Sequence, residues 1–344
     1  MVTNSTVTDI KISSIYPRIC PFANKTPTMK KAEMSQQETP TDTIGVIYCP
    51  RPGGHRRWKK ILRLLKNSGI CFDYIQSENS SDVERIATIM VRNGYTTIII
   101  VGGDSALNYA INAIMQTEVP YGKRPVLGVI PAGYGNDFAR YWNFEPKDYH
   151  LTIKRLKSKH TRRIDVGCIT IQTENKDTHT AYFLNCVNIG TAASIIGLRH
   201  TTFNILGSRP LSHFISAFML LFKKMSYKLS FRIAGEKFEQ RATTLCVGSA
   251  HGYGQTPRAV PYNGMVDICL APTTQFFQLI HGLWLLISGR FLNHKGISVW
   301  RTREIQIDKT DNAPVSIDGR LAYNKVRKRK RKINVIPEAI DFLI

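Results

Sequence analysis

Acidic residues are scarce in this sequence. The 344 residues include 25 Asp and Glu against 47 Lys and Arg, a formal net charge of +22 at pH 7. Such a surface attracts polyanions, whether nucleic acid, lipid headgroups or nucleotide phosphates, and composition alone does not choose among them. Paired cysteines are lacking too. Cys20, Cys49, Cys71, Cys168, Cys186, Cys246 and Cys269 are well separated, with no Cys-x-x-Cys and no paired Cys/His spacing. That excludes a zinc-finger site and a disulfide framework, and leaves free buried thiols in a reducing cytoplasm as the expectation. Long apolar runs are also missing. None reaches the roughly 18 residues of a membrane span. The nearest, 214–222 and 276–289, are ended by Lys223-Lys224 or broken by Gln278, His281 and Gly282, as suits amphipathic or buried helices. The N-terminus lacks a basic stretch followed by an apolar core, so no signal peptide is expected.

What is present suffices for two packed domains, with 43% hydrophobic residues. Residues 1–43 are rich in Thr, Ser, Lys and Pro and are expected to be a disordered extension. Met34 begins MSQQETPTDT, which reads like a start running into the first strand, so residues 1–33 are expected to be an over-long gene model. From 44 to 150 strands and helices alternate: apolar 44–48, a helix over 58–67 closed by Gly69, a strand at 72–75, a helix over 81–93 capped by Ser81, a β-branched run at 96–101, a helix over 106–115 and a strand at 126–130. This alternation predicts an N-terminal doubly wound parallel-sheet nucleotide domain of the α/β class. From 151 to 324 the grammar changes to short runs at 163–170, 181–188, 228–233, 243–248, 265–270, 297–307 and 314–317, interrupted by helices over about 210–225 and 274–289. These predict a C-terminal, mainly antiparallel β-sandwich domain. A basic segment, 325–344, is expected to return to the first domain.

Two strand ends carry the chemistry. The run ending near 101 breaks at Gly102-Gly103-Asp104-Ser105 before a helix, and the strand at 126–130 leads to Gly133-Tyr134-Gly135-Asn136-Asp137. Glycines let backbone approach a phosphate, and a helix N-terminus offers N–H groups and a positive dipole end. Asp104 is then a candidate ligand for Mg²⁺ or a ribose hydroxyl. Either loop alone reads as readily as a plain turn. Two such loops in one parallel sheet point at one crevice beyond the strands' carboxyl ends. A dinucleotide-binding fold is a competing reading, weakened because no Gly-x-Gly-x-x-Gly follows a first strand.

These residues resemble the diacylglycerol kinase catalytic-domain family, in particular its soluble bacterial lipid kinases. The resemblance rests on Cys49-Pro50-Arg51-Pro52-Gly53, Gly102-Gly103-Asp104 leading to Asn108, Pro131-Ala132-Gly133-Tyr134-Gly135-Asn136-Asp137-Phe138-Ala139-Arg140, and Ile317-Asp318-Gly319-Arg320. Further echoes are Arg163-Ile164-Asp165-Val166-Gly167, Leu184-Asn185 before Gly190, and Pro257-Arg258-Ala259 before Asn263-Gly264-Met265-Val266-Asp267. The resemblance implies ATP and Mg²⁺ as cofactors, a lipid alcohol as acceptor (diacylglycerol-like or sphingoid) and an active site in a cleft between two domains. It implies Asp318 as the base with Arg320 beside it, and Gly102, Gly103, Asp104, Ser105, Gly133, Gly135, Asn136 and Asp137 as nucleotide-binding residues, Asp104 also facing the metal.

Several family positions are altered: Ser105-Ala106 stands for Gly-Thr, Tyr109 for Glu, Cys49 for Asn, Tyr134 for Thr and Arg320 for Glu. The family's structural Mg²⁺ carboxylates fall near 261–263, where none remains but the later Asp267. If the strand continued past Asp318, Arg320 would share its face. The departures keep a catalytically silent nucleotide- or lipid-binding relative, or an NAD-kinase-like phosphotransferase, open beside the active lipid kinase. The run Lys325–Lys332 is expected either as a solvated face or as a contact with an anionic membrane surface. Nucleic acid is not an expected partner, because no recognition module or aromatic interleaving accompanies the charge. The chain is expected in the cytoplasm, peripheral to the inner membrane face.

Overall fold

The computed structural model describes residues 18–19, 42–51, 53–119, 123–133, 135–172, 178–194, 226–273, 281–282, 284–285, 289–323 and 330–344. They fall into two compact units. The first takes residues 1–134, 144–162 and 341–344; the second takes 135–143 and 163–340.

The first unit is an α/β layer structure. Its strands are β1 (Arg18–Ile19), β2 (Ile44–Tyr48), β3 (Phe72–Gln76), β4 (Thr97–Gly102) and β5 (Val126–Pro131). The spatial order is β1-β3-β2-β4-β5, with β1 antiparallel to β3 and the other pairs parallel. The run Ile98–Val101 is at most 2% exposed, as befits a parallel strand covered on both faces. Helices α1 (His55–Asn67), α2 (Asp82–Arg92) and α3 (Asp104–Gln116) alternate with these strands. The chain leaves for α4 (Asp137–Tyr141) in the second unit and returns with α5 (Tyr149–Ser158). On one sheet face Val46, Ile99 and Val101 pack with Trp58, Ile61 and Leu65 of α1 and Ile153 and Leu156 of α5. On the other, a Cβ at Gly45 would meet Met90 Sδ of α2 at 2.6 Å. α2 is capped otherwise than the sequence suggests. Ser81 already has helical φ and ψ and makes no side-chain cap; instead Asn79 Oδ1 accepts the N–H groups of Ser81 at 2.9 Å and Asp82 at 3.1 Å.

The second unit is an antiparallel β-sandwich. It contains most of β6 (Thr161–Gln172), then β7 (Thr178–Phe183), β8 (Cys186–Gly190), β9 (Tyr227–Ile233), β10 (Glu236–Gly248), β11 (Val266–Pro272), β12 (Ser298–Thr302), β13 (Glu304–Lys309), β14 (Val315–Ile317), β15 (Arg320–Tyr323) and most of β16 (Arg331–Leu343). β10 pairs β9 over its first half; after an irregularity between Ala242 and Thr244 its second half pairs both β8 and β11. A bulge of this kind lets one strand serve two layers. Inward side chains such as Phe183, Val187, Phe231, Leu245, Ile268, Ile307, Val315 and Ile333 form its core.

Four sequence expectations change here. The run 181–188 is two strands, parted at Leu184-Asn185, because backbone N–H groups there turn to a carboxylate rather than to a neighbouring strand. The run 297–307 is also two strands, β12 and β13, each with a different neighbour. The C-terminal segment is not a solvated basic tail throughout. Arg331 is 2% exposed in β16 and donates to Thr310 Oγ1 at 3.0 Å, and Lys332 pairs with Glu304 at 2.7 Å. Its last residues count with the first unit, where Phe342 aligns parallel with Leu127 of β5. Within the supposed N-terminal extension, β1 pairs with β3; residues 1–17 and 20–41 of that segment, the helix expected at 210–225 and residues 325–329 of the basic run lie outside the described residues.

Candidate active site

In the first unit, β2 is followed by β3 on one side, and the chain then crosses over to β4 on the other. This reversal lies between the carboxyl ends of β2 and β4, where open α/β sheets bind ligands. Gly102 ends β4 there. A Cβ on it would stand 2.9 Å from Ala106 Cβ and 3.4 Å from Cys49 Cβ, so only glycine lets the backbone lie this close to α3 and the β2 end. Gly103 caps α3 in extended conformation, and Asp104 and Ser105 form its first turn, both half-exposed. The first intrahelical bond runs from Leu107 N to Gly103 O at 3.0 Å. The amides before Leu107 thus belong to the helix's positive end.

The second glycine loop is tied to the first. Ala132 N and Gly133 N both donate to Gly102 O, at 2.8 and 3.1 Å. Two guanidiniums hold the same loop from the other side. Arg51 Nη1 donates to Gly133 O at 2.9 Å, and Arg57 Nη1 to Ala132 O at 3.2 Å. Pairing these arginines with carbonyls about 80 residues away needs the sheet order. Tyr134 lies outside the described residues.

Gly135, Asn136 and Asp137 belong to the second unit. Asn136 adopts φ 50° and is buried at 2% exposure, with Asp137 opening α4. Asp137 Oδ2 accepts from Asn185 Nδ2 at 2.7 Å and from Tyr253 N at 3.0 Å. Asn185 in turn gives its backbone N–H to Asp318 Oδ1 at 2.9 Å, and its own Oδ1 accepts from Gly252 N at 2.8 Å. Asp318 also accepts from Leu184 N at 2.8 Å and Cys186 N at 2.9 Å. Three successive amides therefore cradle one carboxylate that is only 3% exposed. Asn185, Tyr253 and Gly252 join Asp137 and Asp318 into one network; the sequence marked Leu184-Asn185 as an echo without a role.

The turn that presents Asp318 differs from the expectation of a continuing strand. Ile317 pairs with Arg320, so Asp318 and Gly319 are the two central residues of the β14–β15 hairpin, with φ of 45° and 73°. Asp-Gly with both φ positive is the favoured two-residue hairpin turn. Arg320 starts β15, so the argument placing it on one strand face with Asp318 does not apply.

The buried Cys186 thiol senses both carboxylates. It is held well above the ordinary thiol range, first by its hydrogen bond with Cys246, then by burial and the negative charges of Cys246, Asp318 and Asp137. Near 261–263, Asp165 holds backbone. Its carboxylate accepts from Gly264 N at 2.6 Å and Glu338 N at 3.0 Å. Among the described residues no group of three His, Cys, Asp or Glu side chains is arranged as a metal site. A nucleotide-borne Mg²⁺ asks for less, one or two carboxylates with phosphate oxygens and water completing the shell, and Asp104 with the Ser105 hydroxyl fits that demand.

Comparison with known proteins agrees with this architecture. Residues 43–169 match the family model described as diacylglycerol kinase catalytic domain, and residues 199–344 match that described as YegS C-terminal NAD kinase beta sandwich-like domain. A protein named diacylglycerol kinase from Staphylococcus haemolyticus is 23% identical over 283 residues, covering 80% of this chain and 81% of its own. One from Staphylococcus aureus is 23% identical over the same length, covering 80% and 84%. Among solved structures, a diacylglycerol kinase from Bacillus anthracis superposes with a TM-score of 0.64 at 18% identity, covering 89% of this chain and 98% of its own. Yeast NADH kinase superposes with a TM-score of 0.54 at 9% identity, covering 89% and 83%. At these identities the structures speak for the fold.

Proposed function

From the match of residues 43–169 to the diacylglycerol kinase catalytic domain and the likeness to bacterial proteins of that name, we propose that this chain is an ATP-dependent lipid kinase acting at a membrane surface on the cytoplasmic side. The acceptor is a lipid hydroxyl, diacylglycerol-like or sphingoid. What carries this reading is the Asp318 carboxylate, buried in a hairpin turn and oriented by the amides of Leu184, Asn185 and Cys186.

Phosphoryl transfer depends chiefly on positioning and charge stabilisation. Gly102, Gly103 and Gly133 let backbone approach the phosphates, and the first turn of α3 directs amides toward them. Gly135, Asn136 and Asp137 extend the nucleotide-binding set. Arg51 and Arg57 fix the carbonyls of the second loop. Asp104, with Ser105, is the proposed holder of Mg²⁺, which when bound neutralises phosphate charge. Asp318 takes the proton of the acceptor hydroxyl. The alcohol oxygen forms a bond to the γ-phosphorus, the bond from that phosphorus to the β,γ-bridging oxygen breaks, and ADP leaves. Arg320 offers positive charge to the transferring group. No helix among the described residues is long and apolar enough to cross a membrane; in this reading the lipid is met at a surface.

Purified protein incubated with labelled ATP and either dioctanoylglycerol or sphingosine tests this. Label is expected in the lipid, and Asp318→Ala is expected to lose about two to four orders of magnitude in turnover. No lipid phosphorylation above the Asp318→Ala control overturns the reading in favour of a silent binding relative. Phosphorylation of NAD alone favours the second reading, which the fold shared with yeast NADH kinase motivates.

A further inference from the structure

Tyr253 holds a backbone conformation that its side chain disfavours. Its φ of 55° and ψ of 37° lie in the left-handed region, between two glycines that adopt that region readily. Such a residue costs about 1 kcal/mol and persists only where its surroundings over-determine it. Here they do. Its N–H is held by Asp137 Oδ2 at 3.0 Å, and its ring packs on the buried cluster of Cys186, Cys246 and Cys269. The consequence is the placement of its hydroxyl. A Cβ on Gly319 would lie 2.7 Å from Tyr253 Oη, so the phenol stands directly over the Asp318-Gly319 turn. Glycine at 319 serves twice, for its φ of 73° and for this close approach. Tyr253 is itself half-exposed.

We propose that Tyr253 positions the acceptor alcohol for Asp318, an inference that rests on the lipid-kinase reading with Asp318 as base. An alcohol oxygen has one proton and two lone pairs. Tyr253 donates to one lone pair, the O–H is aimed at Asp318, and the second lone pair attacks phosphorus. Tyr253 forms no covalent bond and keeps its proton throughout.

Tyr253→Phe keeps the ring and removes only the donor. Its KM for dioctanoylglycerol and its calorimetric affinity for the detergent-dispersed lipid are expected to weaken about three- to tenfold, the loss of one neutral hydrogen bond. The KM for ATP and the melting temperature stay as in the parent chain. Unchanged acceptor KM and affinity in Tyr253→Phe overturn the inference. So does a joint fall in melting temperature and ATP affinity, which marks a structural role. Asp318→Asn is assayed alongside. If it keeps full turnover the base reading fails, while the Tyr253→Phe affinity still decides the role of Tyr253. If it is inactive and Tyr253→Phe is indistinguishable from the parent, only the inference falls. No acceptor binding by the parent chain overturns both.

Discussion

Asn185 Nδ2 lies 2.7 Å from Asp137 Oδ2, a contact across 48 residues of chain. The backbone N–H of the same asparagine holds Asp318 at 2.9 Å, so one residue orients both carboxylates. Asn185 itself is 1% exposed, so its side chain is held inside the fold. Asn185→Ala leaves Asp137 and Gly252 N short of a partner and is expected to cost about 1–3 kcal/mol of stability. Turnover is expected to fall further than occupancy of the folded state explains, since Asp137 loses its fixed orientation. Urea unfolding and lipid-kinase assays on one preparation check this; full activity in a destabilised Asn185→Ala would confine the residue to a structural role.

Gly102→Ala tests the first of the two proposed phosphate loops. The added methyl meets Ala106 Cβ at 2.9 Å, and neither α3 nor the β2 end yields without moving the loop. The expected cost is about 1–3 kcal/mol from overpacking, with weaker binding of a fluorescent ATP analogue. Unaltered nucleotide affinity would place the phosphates elsewhere.

The buried thiols make stability fall on the alkaline side. Burial pushes Cys269 far above the usual thiol range, with a lesser push from Cys246. Burial also raises Cys168, against a hydrogen bond with Thr170, and Cys186 is raised as described. The folded chain therefore keeps protons that the unfolded chain releases above about pH 8.5. Stability from this source is intact below that value and declines as pH rises beyond it. Comparing urea midpoints at about pH 7 and about pH 9.5, the drop is expected to be smaller for Cys269→Ala than for the parent chain. Equal drops would show that the thiol does not titrate on unfolding.

Binding to phosphatidylglycerol vesicles is expected to weaken as salt rises, given a net charge of +22 and screening of exposed charges over about 10 Å. Co-sedimentation at low and high salt measures it. Salt-insensitive association would point to apolar insertion instead. Within the basic run, Arg331 and Lys332 are already engaged inside the second unit and are not expected to contribute.

Much of this protein was legible in its sequence because local rules suffice for it. The β-branched run Ile98–Val101 declares a doubly covered parallel strand, glycines declare the loops after two strands, and alternating short runs declare an antiparallel sandwich. What no local rule carries is which distant groups meet. Asp137 and Asp318 are 181 residues apart in number, yet both converge on Asn185, whose amides leave strand pairing to serve a carboxylate. Arg51 and Arg57 look like members of a basic stretch until sheet order sets them against the carbonyls of Ala132 and Gly133. Arg331 looks like part of a solvated tail until β16 buries it. Asp318 shares the chemistry of any Asp-Gly turn; only tertiary packing supplied the three amides that hold it and the Tyr253 hydroxyl above its neighbour. Periodicity and turn chemistry are properties of a few consecutive residues, whereas a hydrogen-bond network across a sandwich is fixed by strand pairing that the chain adopts only as a whole.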